Sequence, residues 1–380
     1  MKILLATKTF NPITHGPAKF AHFLLHINDL YPQHEVRILT EGIESEVPDL
    51  IYKITTNYPS PFGAFWPIFD NFTYYKKIAQ IRSVYDFDIL LVNNAIQGTW
   101  SRIKLPTSVK VVGMLNDDDY LSENISTFRM DRMWLINFHR KYLEWLAIKK
   151  LDKIITCSKY LKKRVEQTYK PSRLKVADLY MTINLDNVHY QDNRRIINPD
   201  LVIKILFVKS DYPRGGLKIL IKALILLSEL NFRLTIIGPK EKHRSIIFSY
   251  LKNKNNLTLN YLGPQSQKQV FDAFNHHDIF CVPALKEALG VANIEALAAG
   301  IPVVSTQVGG IPEVLDHGNN GWLCEAKNPH SLAEAIKACL TNETIRIKKS
   351  QRGRAFVNTI FGYEQMLKQL IEILEKTKKV

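Results

Sequence analysis

Five short apolar runs punctuate the first half of the chain, at residues 2–8, 35–41, 87–93, 109–115 and 153–159. Apolar residues follow one another in these runs instead of alternating with polar ones. A strand with one wet face alternates, so these read as strands buried on both faces, the mark of a parallel sheet. Between them, residues 17–31 and 130–150 carry helical patterns. The polar stretch 190–200 (YQDNRRIINPD) has no period and contains a proline, so it reads as a linker. The pattern then restarts, with strands predicted at 203–208, 234–238, 257–263, 278–283 and 301–306 and helices at 216–230 and 291–299. Alternating β and α in both halves predicts two doubly wound α/β domains, 1–195 and 196–362. Met366, Leu367, Leu370, Ile371 and Leu374 recur at helical spacing in 363–376. That amphipathic helix needs a surface to lie on, and segment 363–380 is expected to cross back onto the first domain. Ligands of doubly wound folds bind beyond the carboxyl ends of the strands. Both sets of strand-end loops are therefore expected to face a shared cleft.

Chemistry concentrates between Pro283 and Leu315 (PALKEALGVANIEALAAGIPVVSTQVGGIPEVL). A strand ends at Pro283, a loop carries Glu287 and Gly290, and a helix follows over 291–299, with Gly300 placed to cap it. Gly290 lets backbone approach a ligand and lets the chain turn into the helix. The helix start presents unpaired N–H groups and the positive end of its dipole, a ready site for a diphosphate. Glu287 and Glu295 stand eight residues apart. Two carboxylates so placed suit the hydroxyls of a ribose and a hexose, since an ionised carboxylate only accepts hydrogen bonds. Taken alone the spacing is common, and an exposed loop residue with an exposed helix residue would show it equally.

In this strand–loop–helix–strand setting, Glu287, Gly290, Glu295, Gly300–Val304 and Gly309–Glu313 resemble the retaining glycosyltransferases of family 4. That resemblance implies the GT-B architecture: two Rossmann-like doubly wound domains facing each other across a cleft. Asp152–Ser158 (DKIITCS), Leu262-Gly263 and Asn319–Leu323 extend the likeness, more weakly, over nearly the whole chain. It implies a hexosyltransferase that moves a sugar from a nucleotide-diphosphate donor to an acceptor with retention of anomeric configuration. Glu287 would then bind donor sugar hydroxyls and Glu295 the ribose. Backbone around Ala288, Leu289 and Gly290 would meet the diphosphate, with Gly238 and Gly16 further donor-site positions.

The chain departs from the family pattern in three places. The family carries Gly-Arg after the first strand of the second domain and a Lys five residues later. Here Ser210 and Gly215 occupy those two positions, with Lys209 and Arg214 beside them. Arg214 suits the displaced role, because a guanidinium matches phosphate oxygens bidentately; the rival reading is a solvated Arg and weakened chemistry. The glycine-rich loop of the first domain is replaced by His15-Gly16-Pro17. Where many members carry a His after strand 109–115, this chain has Asn116-Asp117-Asp118-Asp119. Asp117 is a candidate for acceptor binding or acid–base work, and the acidic stretch reads equally as a solvated turn. Its D-x-D pattern also suits a hard cation. No metal or other cofactor is expected, because cations and a helix dipole already serve the diphosphate.

Composition narrows the partners. Hydrophobic residues make up 46% and charged residues 23%, so the chain is globular and not disordered. The net charge of +15 favours anionic partners. Phe62, Phe65, Trp66, Phe69, Phe72, Tyr74, Tyr75 and Tyr85 crowd near Lys76, Lys77 and Arg82. Such interleaving suits sugars and lipid head groups, and equally a half-buried helix. A glycan or lipid-linked acceptor and a peripheral membrane contact are the expected partners besides the donor; nucleic acid is not. Four scattered cysteines and no long apolar run place the protein in the cytoplasm, at the inner membrane face if it meets lipid. Three alternatives stand beside the transferase. An inert partner subunit would bind donor weakly or not at all. A same-fold epimerase would turn over donor without acceptor. A DNA glucosyltransferase would bind duplex with steep salt dependence.

Overall fold

The computed structural model describes residues 1–10, 16–41, 49–55, 66–93, 105–117, 142–172, 175–182, 188, 201–251 and 255–379, with backbone only at 17 and 66–71. The chain forms two compact units, Met1–Met181 with Tyr363–Val380, and Thr182–Gly362.

Among the described residues the first unit holds seven parallel strands: β1 (Lys2–Thr9), β2 (Glu35–Glu41), β3 (Ile51–Lys53), β4 (Ile89–Val92), β5 (Lys110–Leu115), β6 (Lys153–Thr156) and β7 (Val176–Asp178). They lie in the order β3-β2-β1-β4-β5-β6-β7. Ile3 to Ala6 pair with Ile89 to Val92 on one side and with Val36 to Leu39 on the other. All four are fully buried, as an apolar run in a central parallel strand requires. The expected helix over 17–31 divides into α1 (Gly16–Leu25) and α2 (Ile27–Leu30) at His26. Helix α3 spans Trp66–Arg82 and α4 spans 142–150, the described part of the 130–150 pattern. Helix α5 (Lys159–Tyr169) is capped by the Ser158 hydroxyl, which accepts from the Leu161 N–H.

Among the described residues the second unit has six parallel strands: β8 (Ile203–Val208), β9 (Phe232–Ile237), β10 (Leu257–Gly263), β11 (Ile279–Val282), β12 (Val303–Thr306) and β13 (Trp322–Cys324). Their order is β10-β9-β8-β11-β12-β13. The order reverses between β8 and β11, and in the first unit between β1 and β4. At such switch points neighbouring loops part and leave a crevice beyond the strand ends. Helices α6 (Leu217–Leu226), α7 (Arg244–Phe248), α8 (Gln267–Asn275), α9 (Val291–Ala299), α10 (Ile311–Val314), α11 (Pro329–Thr341) and α12 (Glu343–Ile360) complete this unit.

The unit boundary lies at 181/182, ahead of the expected 195/196. The Thr182 hydroxyl donates to the Phe361 carbonyl at 2.5 Å, which ties Thr182 to the second unit. The expected linker 190–200 lies outside the described residues. Helix α13 (Tyr363–Lys379) belongs to the first unit. It buries Met366, Leu367, Leu370, Ile371 and Leu374, stacks Tyr363 on Phe23 at 5.7 Å, and sets Lys378 2.9 Å from Asp88.

Strands β3, β7 and β13 escape the sequence reading because three residues carry no readable period. Three aspartates at strand starts share one device. Asp88, Asp152 and Asp278 accept the backbone N–H of Lys2, Val111 and Lys204 respectively, each on a neighbouring strand. The four cysteines are free and buried; burial pushes the Cys324 and Cys339 thiols up to about 12, so they are unreactive.

One buried histidine gives the fold a pH dependence. His277 Nδ1 lies 2.7 Å from the Ala273 carbonyl, so Nδ1 carries the proton and Nε2 accepts from the Thr235 hydroxyl at 2.8 Å. Desolvation lowers the His277 pKa, against the raising effect of the Ala273 hydrogen bond. The folded state therefore prefers neutral imidazole. The stability this gives is present above the unfolded pKa of about 6.5 and is lost as pH falls below it, where the unfolded chain takes up the proton first. Denaturant midpoints between pH 8 and pH 5 are expected to fall with pH, and less steeply in His277→Gln. Equal slopes in both proteins would refute this.

Candidate functional site

The site grows from the loops that leave β8 and β11 at the switch point. After β8, the Lys209 N–H still bonds the Ile237 carbonyl. The chain then turns on itself: Asp211 accepts from the Arg214 N–H through its side chain at 3.2 Å and from the Gly215 N–H through its carbonyl at 2.8 Å. Gly216 starts α6 with φ +75°, and a Cβ there would lie 2.0 Å from the Pro283 carbonyl oxygen. Glycine is required twice over, by conformation and by space. Gly238 ends β9 with φ +116°, and a Cβ on it would lie 2.7 Å from the backbone of Lys209 and Ser210. The 209–216 turn is thus wedged between the ends of β9 and β11.

The loop 283–290 is held from both sides. The Leu285 N–H donates to the Arg214 carbonyl at 2.8 Å, and the Thr306 hydroxyl to the Ala284 carbonyl at 2.7 Å. On the far side, Gly309 takes φ +61°, and a Cβ there would overlap the Glu287 carbonyl oxygen at 1.6 Å. A Cβ on Gly310 would lie 2.4 Å from the Ala288 carbonyl oxygen. The Gly-Gly pair therefore serves close packing of the 287–288 backbone. Ala288 and Leu289 are buried, so what they can offer a ligand is main chain.

Six expected residues, Lys209, Arg214, Glu287, Ala288, Leu289 and Gly290, lie on this loop pair, and Glu295 lies on the helix that follows. Lys209 Nζ sits 2.5 Å from Glu287 Oε2, with the two side chains 27% and 19% exposed. Gly290 (φ +96°) begins α9 with no side-chain cap, which leaves the helix start open to an acceptor. A Cβ on Gly290 would lie 2.8 Å from Asn293 Nδ2 and 3.5 Å from Glu287 Cγ, so Gly290 also makes room for its neighbours. Gly300 closes the helix in the left-handed conformation that its type predicts. Glu295 is 8% exposed and not a surface residue. Gln267 Nε2 donates to it at 2.9 Å. The Ser266–Gln269 capping box fixes the start of α8 and with it Gln267, a partner that sequence reading missed. Arg214 is half-buried in the 211–216 turn. Ser210 is exposed and Gly215 buried, and as a serine and a glycine neither position carries charge.

The remaining candidates belong to the first unit. Asp117 is exposed just beyond β5. Beside it Asn116 donates to the Asn93 carbonyl and Oδ1, both at 3.2 Å, and Asn93 donates to the Thr7 hydroxyl at 3.2 Å. A polar row thus crosses the ends of β1, β4 and β5. Gly16 starts α1, where a Cβ would meet only the Met181 methyl at 3.8 Å. No crowding from the described residues demands a glycine there. His15, Asp118 and Asp119 lie outside the described residues. Among the described residues, no group of three or more His, Cys, Asp or Glu side chains is placed to hold a metal ion. The aromatic segment divides: Tyr74 and Tyr85 are core, while Phe72, Tyr75 and Lys76 form a surface group with the ammonium 4.5 Å from the Phe72 ring. No described helix is long and apolar enough to cross a membrane.

Residues 191–356 match the family described as Glycosyl transferases group 1, and residues 28–186 match Glycosyltransferase Family 4. An uncharacterised glycosyltransferase of Methanocaldococcus jannaschii is 27% identical over 62% of this chain and 63% of its own length. That falls short of two thirds of the relative. The N-acetyl-alpha-D-glucosaminyl L-malate synthase of Bacillus anthracis is 24% identical over 88% of this chain and 87% of its own. Among solved structures, sucrose-phosphate synthase from Thermosynechococcus elongatus superposes with a TM-score of 0.77 at 15% identity, covering 99% of this chain and 98% of that one. Anabaena HepE in complex with UDP-glucose gives 0.69 at 19%, covering 99% and 100%. Both sheets are parallel and doubly wound, and the two family matches follow one another along the chain. The chain has the GT-B fold; its second half is similar to the group 1 glycosyltransferases and its first half to Glycosyltransferase Family 4.

Proposed function

We propose that this enzyme takes a hexosyl group from a nucleotide-diphosphate sugar held by the second unit and passes it, with retention of configuration, to a glycan or lipid-linked acceptor held by the first. The observation that carries the donor half is the strand-end cluster at the β8/β11 switch point, where Lys209 and Glu287 lie 2.5 Å apart beside the uncapped start of α9. In this reading Lys209, Arg214 and the helix start take up charge as the diphosphate leaves. Glu287 accepts from donor sugar hydroxyls and Glu295 from the ribose. The departing diphosphate itself accepts the acceptor's proton, so no protein nucleophile is needed. Charge neutralisation by these groups makes a metal unnecessary. HepE, of like fold, is described in complex with UDP-glucose, which supports a donor of that class.

A lipid-linked acceptor draws support from two exposed aromatic–cation groups of the first unit. One is Phe72, Tyr75 and Lys76. The other is Tyr142 and Trp145, stacked at 5.9 Å, with Lys149 3.9 Å from the Trp145 ring. Amphipathic rings beside lysines suit the head-group zone of a membrane.

The test is donor binding, read by thermal shift with UDP- and GDP-sugars on wild type, Glu295→Gln and Arg214→Ala. One donor is expected to stabilise wild type, and each variant to weaken its binding about tenfold, the effect of about 1.4 kcal/mol. A folded wild type that no donor stabilises would favour an inert partner subunit, the reading that Ser210 and Gly215 support.

A further inference from the structure

We infer that Gly215 is a positioning residue for Lys209: the phosphate-facing cation of this site has moved to the end of β8, and the glycine is the space its stem occupies. This inference rests on the proposed donor site. The reasons for glycine differ along the 209–216 turn. Gly216 has a positive φ and a backbone oxygen in the way of any Cβ. Gly215 has neither, since its φ is not in the left-handed region and no backbone atom is among the three that a Cβ would meet first. The three atoms nearest a Cβ there all belong to side chains: Phe207 Cζ at 2.8 Å, Lys209 Cγ at 2.9 Å and Lys209 Cβ at 3.0 Å. Two of these three atoms belong to the lysine, and the third is the ring end of a fully buried Phe that cannot yield.

Lys209 in turn cannot retreat. Its backbone is wedged against Gly238, and its ammonium is held by Glu287. Any side chain at 215 therefore displaces the Lys209 stem and pulls the ammonium from its place at the loop of Glu287. A lysine at 215 and a lysine at 209 are alternatives for the same space. The chain keeps the second, so the cation approaches the site from the strand end instead of from the start of α6.

The experiment is a double-mutant cycle on the full chain with Lys209→Met, Gly215→Ala and the pair, assayed with the donor that stabilises wild type. Methionine keeps a stem against residue 215 and removes only the charge. Lys209→Met is expected to lower kcat about 30-fold and to weaken nucleoside-diphosphate binding. Gly215→Ala is expected to lower kcat about tenfold in the wild-type background and less than twofold in the Lys209→Met background, because the misplaced group no longer carries charge. A similar loss in both backgrounds would make Gly215 a packing residue and overturn the inference, as would a Lys209→Met enzyme within threefold of wild type. Thermal midpoints separate unfolding from either effect, since the steric cost is shared by the two backgrounds. If wild type binds no donor at all, the donor-site reading fails first and this inference with it; donor turnover with an additive cycle fails the inference alone.

Discussion

Glu287→Ala is expected to lower kcat/KM for the sugar donor about 10²–10³-fold while binding of the free nucleoside diphosphate holds or tightens. The two effects separate because Glu287 has two neighbours with opposite interests. In the resting site its carboxylate neutralises Lys209 at 2.5 Å. In the proposed complex the same ammonium faces phosphate oxygens, and the carboxylate faces sugar hydroxyls. Truncation frees Lys209 for the diphosphate but leaves the sugar without the acceptor that orients it. The loss is that of a preorganised polar contact in a partly closed site, commonly worth two to three powers of ten in rate. A merely structural ion pair predicts something else: a lower thermal midpoint, weaker nucleotide binding and activity that falls in parallel. Nucleotide affinity by calorimetry, set beside initial rates, decides between them. Parallel loss of both would withdraw Glu287 from the chemistry, and so would unimpaired transfer. Lys209→Met provides the mirror image, since there nucleotide affinity is expected to drop.

The sequence made much of this site legible because its parts are local. Glu287, Gly290, Glu295 and Gly300 fall within fourteen consecutive residues, where a strand end, a loop and a helix can be read from apolar runs and glycines. Backbone geometry then leaves little freedom: Gly290 and Gly300 adopt the positive φ their types predict. The parallel sheets were equally legible, since central strands carry uninterrupted apolar cores such as Ile3–Ala6 and Ile205–Val208. What stayed hidden depends on contacts between distant segments. The Lys209–Glu287 pair joins residues 78 apart, and Gln267 meets Glu295 across 28. Gly215 read as a missing lysine, because only coordinates reveal that its empty space is filled by Lys209. The unit boundary stands at 181/182, where Thr182 bonds Phe361 across 179 residues, a contact no local pattern carries. Glu295 was open to reading as an exposed helix residue. Its burial follows from α9 being enclosed nearly all round, a helix with little amphipathic signal to read.

Gly309→Ala is expected to abolish donor binding and to lower the thermal midpoint of the second unit by about 5–15 °C. Two costs add. Left-handed backbone at φ +61° costs a residue with a Cβ about 1–2 kcal/mol. The new methyl would also sit 1.6 Å from the Glu287 carbonyl oxygen, an overlap that only movement of the 287–290 loop relieves. Overpacking of that kind costs about 1–3 kcal/mol. The midpoint range follows from about 2–4 °C per kcal/mol for a body of this size. Function suffers more than stability, because the displaced loop carries Glu287 and leads straight into Gly290 and the start of α9. Gly318→Ala is the matched control. Its φ of +96° imposes a similar backbone cost, yet its nearest neighbour is a Leu323 methyl at 3.9 Å. That variant is expected to lose only about 1 kcal/mol and to keep donor binding. If Gly309→Ala behaves like Gly318→Ala, the close approach of the Gly309-Gly310 turn to the Glu287 loop is not what holds the site. If only Gly309→Ala loses the donor, the second glycine pair of this chain acts as the wall against which the sugar-facing loop is set.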